Sequence, residues 1–305
     1  MSGTNFKNGL KVYGAPVLPG AGDQVTTGNV FFVDSGNPNG SDSPSAGTVD
    51  KPFLTTDYAV GQCVADNGDI IYVMPGHTEG LTAGTSLVVD VAGVQIIGLG
   101  WGHSRPIYDF DNTAATIELD AANTRLSNVI LRASVSAVVV GVNVDADDVT
   151  VDNCETAFEA TGDDFVMMVD VNAFDRATVV NNRFFTEPAT AGCAKGVKLI
   201  DTHNTVVMNN WFIGDFSDSP IHGLTTLGNG CVISDNLIYN SDTSTNNGIE
   251  ITAAFTGILA NNRVGTLYAT SVADLIDPGS MLCLENYTVN AIDESGVLLP
   301  ATTSA

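Results

Sequence analysis

Positive charge is scarce in this sequence. Eleven Lys and Arg face 35 Asp and Glu across 305 residues, a formal net charge of −24. A body this acidic repels phosphate, so nucleic acid is not a partner to expect. It is also soluble and slow to self-associate non-specifically. Long apolar runs are missing too. The longest, Ala137 to Val142, is far too short to span a bilayer, and no membrane insertion is expected. The opening Met-Ser-Gly-Thr-Asn-Phe-Lys has no apolar stretch of signal-peptide type, so the chain reads as made and folded in a cytoplasm rather than secreted. Cysteines are few and scattered: Cys63, Cys154, Cys193, Cys231 and Cys283 are odd in number and lack zinc-ligand spacing. They read as small buried hydrophobes in a reducing compartment. After residue 70 no stretch of helical length repeats its apolar residues every 3.6 positions.

Catalytic signatures are lacking as well. There is no Gly-x-Ser-x-Gly elbow and no Gly-rich phosphate loop ahead of a helix. The histidines His77, His103, His203 and His222 are isolated, with no metal-spaced pair. His77 belongs to a Pro-Gly-His turn and His203 to a turn between strands, so both read as polar turn residues. A glycosidase needs two carboxyls, about 5.5 Å apart for retention or about 6.5–9.5 Å for inversion. Asp145, Asp147, Asp148, Asp163, Asp164, Asp170 and Asp175 are candidates, but among so many acids adjacent pairs arise by chance. Arg176, Arg183 and Arg263 read as solvated turn positions. Asp145-Ala-Asp147-Asp148 and Asp215-Phe-Ser-Asp218 have oxygen-rich spacing suited to Ca²⁺, yet neither is an EF-hand loop. On these grounds no catalytic residue, metal or cofactor is assigned.

What the sequence has instead is a repeat. Val-Val-Asn-Asn-Arg-Phe-Phe at 179–185 returns as Val-Met-Asn-Asn-Trp-Phe-Ile at 207–213, Ile-Ser-Asp-Asn-Leu-Ile-Tyr at 233–239 and Leu-Ala-Asn-Asn-Arg-Val at 259–264. Aligned with looser copies, the shared residue is Asn128, Asn153, Asn182, Asn210, Asn236, Asn262 and Asn286, in steps of 25, 29, 28, 26, 26 and 24 residues. A near-constant period of this size means one unit stacked on copies of itself. Stacked asparagines can hydrogen-bond amide to amide along the axis, and Asn tolerates the left-handed conformation of a sharp bend. The row therefore reads as the spine of the fold, not as its site. Phe184, Trp211 and Leu237 follow ladder asparagines at regular places, which suits a stacked core or one shared lateral face. From residue 84 onward, short Val- and Ile-rich strands alternate with turns, as in a parallel sheet wound into a coil. Residues 99–113 read as a loop leaving the cylinder.

The ends differ from this body. Residues 1–28 are rich in Gly and Pro, with isolated apolar and basic residues: Phe6, Lys7, Leu10, Lys11, Val12, Tyr13, Pro16, Val17 and Leu18. They read as an arm that lies extended on another protein and becomes ordered there. Residues 29–83 hold an entry strand, a polar loop, a short helix from about Asp57 to Ala65 capped by Thr55-Thr56, and an apolar strand at 69–74. The body runs over 84–293, and 294–305 form a tail.

The entry segment carries a resemblance. Phe31-Phe32-Val33-Asp34, Gly40-Ser41-Asp42, Lys51-Pro52-Phe53, Ala59-Val60 and Gly68-Asp69-Ile70-Ile71-Tyr72-Val73-Met74-Pro75-Gly76 resemble the start of right-handed parallel β-helix proteins of the pectate-lyase-like superfamily. The resemblance implies an all-β, single-stranded parallel β-helix whose helix plugs the N-terminal end. The polygalacturonase-like pattern of Asn-Thr-Asp, Gly-His-Gly and Arg-Ile-Lys is absent, and Ile221-His222-Gly223 is its nearest fragment. The opening Asn-Phe-Lys-Asn-Gly-Leu and Tyr-Gly-Ala-Pro-Val-Leu-Pro-Gly are similar to small β-helix proteins of phage structural modules. That likeness implies a virion protein on the capsid surface: a homotrimeric decoration (cement) protein whose arm binds the major capsid protein. Two alternatives stand beside it, a tail-spike-like polysaccharide depolymerase and a non-catalytic knob that binds a host surface glycan.

Overall fold

The computed structural model describes residues 11–12, 15–16, 26–186, 193–224, 227–243, 248–252, 254–267, 275–289 and 297–298. Three sheets of ten, ten and eight strands run the length of one coil. Each turn of the chain supplies one strand to each sheet in order. Thr178–Val180 lies in the first sheet, Arg183–Phe185 in the second, Lys195–Ile200 in the third, and Val206–Met208 returns to the first, one rung on. The strand pairs along the coil are parallel except the last, Asn286–Val289 with Val297–Leu298, and hold their register apart from one shift between Gly228 and Cys231, so like positions stack about 4.8 Å apart.

The core follows from that register. In the first sheet Ile71, Ile96, Leu126, Val151, Val179, Val207, Ile233, Leu259 and Cys283 form one inward column. In the third sheet Leu87, Ile117, Val142, Val169, Val197, Ile221, Ile249 and Ile276 form another. All are buried, and each such side chain contributes about 1.5–3 kcal/mol. Cys283 ends its column as a small apolar residue, and all five cysteines are free. β-Branched residues suit these positions because they fill a pleated surface with little loss of rotamer freedom.

Two residues make the corner between the first and second sheets. The first is left-handed: Asn128, Asn153, Asn181, Asn209, Asp235, Asn261 and Glu285 all have φ between 49° and 60°. The second is buried and, from Asn182 onward, always Asn. Asn182, Asn210 and Asn236 each take the next asparagine's Oδ1 with both backbone N–H and Nδ2, at 2.9–3.1 Å. Asn262 does the same with Asn286. At the top, the Cys154 N–H donates to Asn182 Oδ1 at 2.9 Å. Sequence spacing puts Asn128 and Asn153 in this buried row. The structure places them in the left-handed column one residue earlier, where Val129 and Cys154 fill the buried position. The two roles expected of one asparagine are thus divided between neighbours.

The entry helix is Thr56–Val60, shorter than the expected span, with Thr55 as its N-cap. The chain turns at Gly61, and the Val64 N–H is taken by Asp69 at 2.7 Å instead of continuing the helix. The buried Glu79 carboxylate accepts the Thr56 N–H and hydroxyl, and Thr56 Oγ1 lies 2.8 Å from the Tyr108 hydroxyl. His77 is fully buried rather than a solvated turn residue. Its Nδ1 accepts the Ser35 N–H at 3.0 Å, which leaves the proton on Nε2, 3.1 Å from Glu79 Oε2. This network ties the helix to the first rungs. The segment expected to leave the cylinder does so only over 99–106, because Ile107–Phe110 is a second-sheet strand.

Of the arm, Phe6, Lys7, Leu10, Tyr13, Val17 and Leu18 lie outside the described residues. Lys11–Val12 and Ala15–Pro16 pair as a short antiparallel ribbon.

Candidate functional site on the third sheet

Third-sheet strands alternate inward aliphatics with one outward polar residue: Val142-Asn143-Val144, Val169-Asp170-Val171, Val197-Lys198-Leu199, Ile221-His222-Gly223 and Ile249-Glu250-Ile251. Register stacks the outward ones into a single row, Glu118, Asn143, Asp170, Lys198, His222, Glu250 and Asp277. Acid, base and imidazole are thereby brought to adjacent rungs of one face.

The row is densest around His222. Lys198 Nζ donates to Asp170 Oδ2 at 2.9 Å. His222 Nδ1 lies 3.2 Å from Asp218 Oδ1, and Lys195 Nζ bonds the other Asp218 oxygen. Ser219 Oγ donates to Glu250 Oε2 at 3.0 Å. Asp170 and His222 are each only 7% exposed, although they point outward from the sheet. Two of the chain's five lysines stand here. Burial acts to raise the Asp218 carboxyl, but the hydrogen bonds and charge from His222 and Lys195 outweigh it and hold the group at about 2. Asp218 is therefore a fixed anion.

One ligand atom from each of Asp218, His222 and Glu250 lies within 4.8 Å of the others. This imidazole and two carboxylates suit a divalent cation, although the Lys195 ammonium on Asp218 competes with one. Without an ion, His222 and Glu250 lie beside the fixed Asp218 charge, at a separation that a substrate group could bridge.

The acids singled out from sequence are dispersed. Asp170 alone joins the site. Asp147 and Asp148 are ion-paired with Arg176 at 3.0 and 2.7 Å. Asp163 accepts the Ala160 N–H, Asp164 Oδ1 the Phe165 N–H, and Asp175 the His203 N–H. Asp145 shares Asn143 with Glu118. With Asp147 and Asp175 it lines an open acidic groove of about 690 Å³. Of the second calcium candidate, Asp218 groups with His222 and Glu250. Arg176 is a turn residue, but Arg183 and Arg263 begin second-sheet strands. Lys195, Lys198, His222 and Glu250 were not expected here. The signal that finds them is the apolar–polar–apolar triplet returning once per coil.

A second surface feature lies on the other two sheets. Phe184 and Phe212 are core, whereas Met208, Trp211, Leu237, Tyr239, Ile258, Leu282 and Tyr287 are 37–54% exposed. From the rung of Thr178 onward, the outward strand positions of these sheets carry no carboxylate among the described residues; their charges are Arg183 and Arg263.

No protein-family model matches the chain, and no curated protein matches it by sequence. Solved structures do. Pectate lyase Pel9A is 11% identical with a TM-score of 0.50, over 88% of this chain and 78% of that one. A DFA-IIIase mutant from Arthrobacter chlorophenolicus A6 is 13% identical with a TM-score of 0.50, over 85% of this chain and 68% of that one. A rhamnogalacturonan lyase is 15% identical with a TM-score of 0.43, over 90% of both chains. The chain has a parallel β-helix fold, which it shares with pectate lyase Pel9A.

Proposed function

We propose that the protein is a polysaccharide depolymerase that works on the outer face of the third sheet. The observation that carries this reading is the grouping of Asp170, Lys195, Lys198, Asp218, His222 and Glu250 on neighbouring rungs of a chain otherwise poor in bases. Asp218 orients His222, and His222 and Glu250 form the proton-transfer pair. Lys195 and Lys198 draw an acidic sugar to the row against the overall negative charge.

Incubation with capsular, lipopolysaccharide and pectic polymers tests it. New reducing ends mark hydrolysis, and unsaturated uronates mark elimination. His222→Ala and Glu250→Gln are expected to abolish product while leaving the circular dichroism spectrum unchanged. A folded wild-type protein that cuts none of these polymers, or variants that cut at the wild-type rate, would refute the reading.

The apolar outward strand positions of the first and second sheets favour a second reading, a homotrimeric virion decoration protein seated by residues 1–28. Deleting those residues and measuring binding to undecorated capsids tests it. Binding that persists without them refutes the arm's part.

A further inference from the structure

A groove of about 450 Å³ runs along the asparagine corner between the first and second sheets, away from the third-sheet row. Its wall is the loop 99–106, and the Trp101 indole on that loop is 88% exposed. A large aromatic left in water is informative, because burying it would gain much.

The loop is held firmly. The Trp101 N–H donates to Ser104 Oγ at 3.1 Å, and that hydroxyl donates back to Trp101 O at 2.8 Å. Asn128 Nδ2 donates to Gly98 O at 2.7 Å and to Gly100 O at 3.3 Å. Arg105 bonds Gly102 O at 3.1 Å and Glu155 at 2.7 Å. The backbone that carries the indole is thus fixed, so binding has only the two side-chain torsions of Trp101 left to order.

Polar groups line the rest of the groove. Asn153 and Asn181 present exposed side-chain amides on successive rungs. Arg183 lies with its guanidinium 5.1 Å from the centroid of the Trp211 ring. Arg105, Arg125, Arg132 and Arg176 each hold a carboxylate, whereas Arg183 has no ion pair among the described residues. In a chain of net charge −24, a cation left unpaired beside an exposed indole and two amides is a set of complements awaiting one ligand.

We propose that this groove binds a carboxylate-bearing sugar unit of a glycan. A pyranose face packs on Trp101, its carboxylate meets Arg183, and Asn153 and Asn181 take hydroxyls. The volume falls in the range of small-ligand sites. The site stands apart from the third-sheet reading, since it requires binding and no turnover.

The test uses the full chain in a Trp211→Phe background, which leaves Trp101 as the sole indole. Trigalacturonate is titrated against maltotriose by tryptophan fluorescence, with circular dichroism confirming the fold. Saturable change with trigalacturonate, and affinity at least about tenfold weaker for maltotriose or after Arg183→Gln, is expected. Calorimetry on Trp101→Ala is expected to lose the binding event that Arg183→Gln weakens, whereas Arg263→Gln, three rungs along and outside the groove, leaves that event unchanged. Equal affinity for the neutral sugar, no saturable change with either sugar, or loss of binding in Arg263→Gln would each overturn the assignment.

Discussion

Replacing Asn236 by Ala isolates the contribution of the buried asparagine row. Asn236 Oδ1 accepts the backbone N–H of Asn210 at 3.0 Å and its Nδ2 at 3.1 Å. Its own Nδ2 donates to Val207 O at 3.0 Å and to Asn262 Oδ1 at 2.9 Å. The side chain is buried, so truncation breaks four hydrogen bonds in a dry core. It orphans a backbone N–H and an amide N–H, whereas Val207 O keeps its place in the parallel ladder and Asn262 Oδ1 keeps the Asn236 N–H at 3.1 Å. Buried groups left unsatisfied cost about 1–3 kcal/mol each, and some relaxation is available, so a loss of about 2–4 kcal/mol is expected. Repeat proteins often unfold in parts, so a local reading is needed beside denaturant melts. Hydrogen exchange at the Asn210 amide provides it, with protection expected to fall about a hundredfold or more. Asn261→Ala is the control. Asn261 is exposed at φ 56°, so its replacement costs only about 1–2 kcal/mol of left-handed preference. If Asn236→Ala loses no more than Asn261→Ala, the row is not the structural spine.

Three further outcomes are expected. Gly257→Ala should sharply reduce soluble yield, because at φ +137° its new Cβ would lie 2.0 Å from Cys231 O; Gly61→Ala, at φ −62° with no neighbour of the new Cβ nearer than 3.6 Å, should give near-normal yield. Glu118→Gln should raise the melting temperature at pH 7. Burial, then the charges of Asp120 and Asp145, raise the Glu118 carboxyl above its ordinary 4.5 against the Asn143 hydrogen bond. A raised acid opposes folding in full above its folded value, the penalty fades as pH falls through that value toward 4.5, and it is gone below 4.5, so no gain is expected at pH 3.5. Thiol reagents at pH 8 should label the native chain slowly and all five cysteines after denaturation, since burial pushes Cys63 and Cys154 up to about 12; rapid native labelling would contradict this.

The coil and two of its sheets are legible in the sequence because their strands are rich in Val and Ile, as in Thr178–Val180 and Lys195–Ile200. Most second-sheet strands are not, because they directly follow the corner and alternate exposed with buried residues, as in Trp211–Gly214. The 29-residue step from Asn153 to Asn182 is the trace of the misplaced register, since the structure sets Cys154 and Asn182 28 apart. The third-sheet row escaped notice for a different reason. Lys198, His222 and Glu250 are 24 to 28 residues apart, and only pairing along the coil makes them neighbours. Motif reading searches along the chain, whereas a coil assembles its chemistry across it.

The distribution of charge also has a colloidal consequence. A rod of net charge −24 with one flank bare of strand carboxylates is a patchy particle whose attraction and repulsion differ in range. Contact between flanks acts only at close approach, but repulsion between whole bodies extends over the Debye length, about 30 Å at 0.01 M salt and about 8 Å at 0.15 M. Ionic strength thus sets whether two rods ever come close enough for Trp211 and Tyr287 to touch a neighbour. Sedimentation in dilute buffer and in physiological salt checks this: association that rises with salt is expected if the flanks attract, and one sedimentation coefficient at both salts would show that they do not.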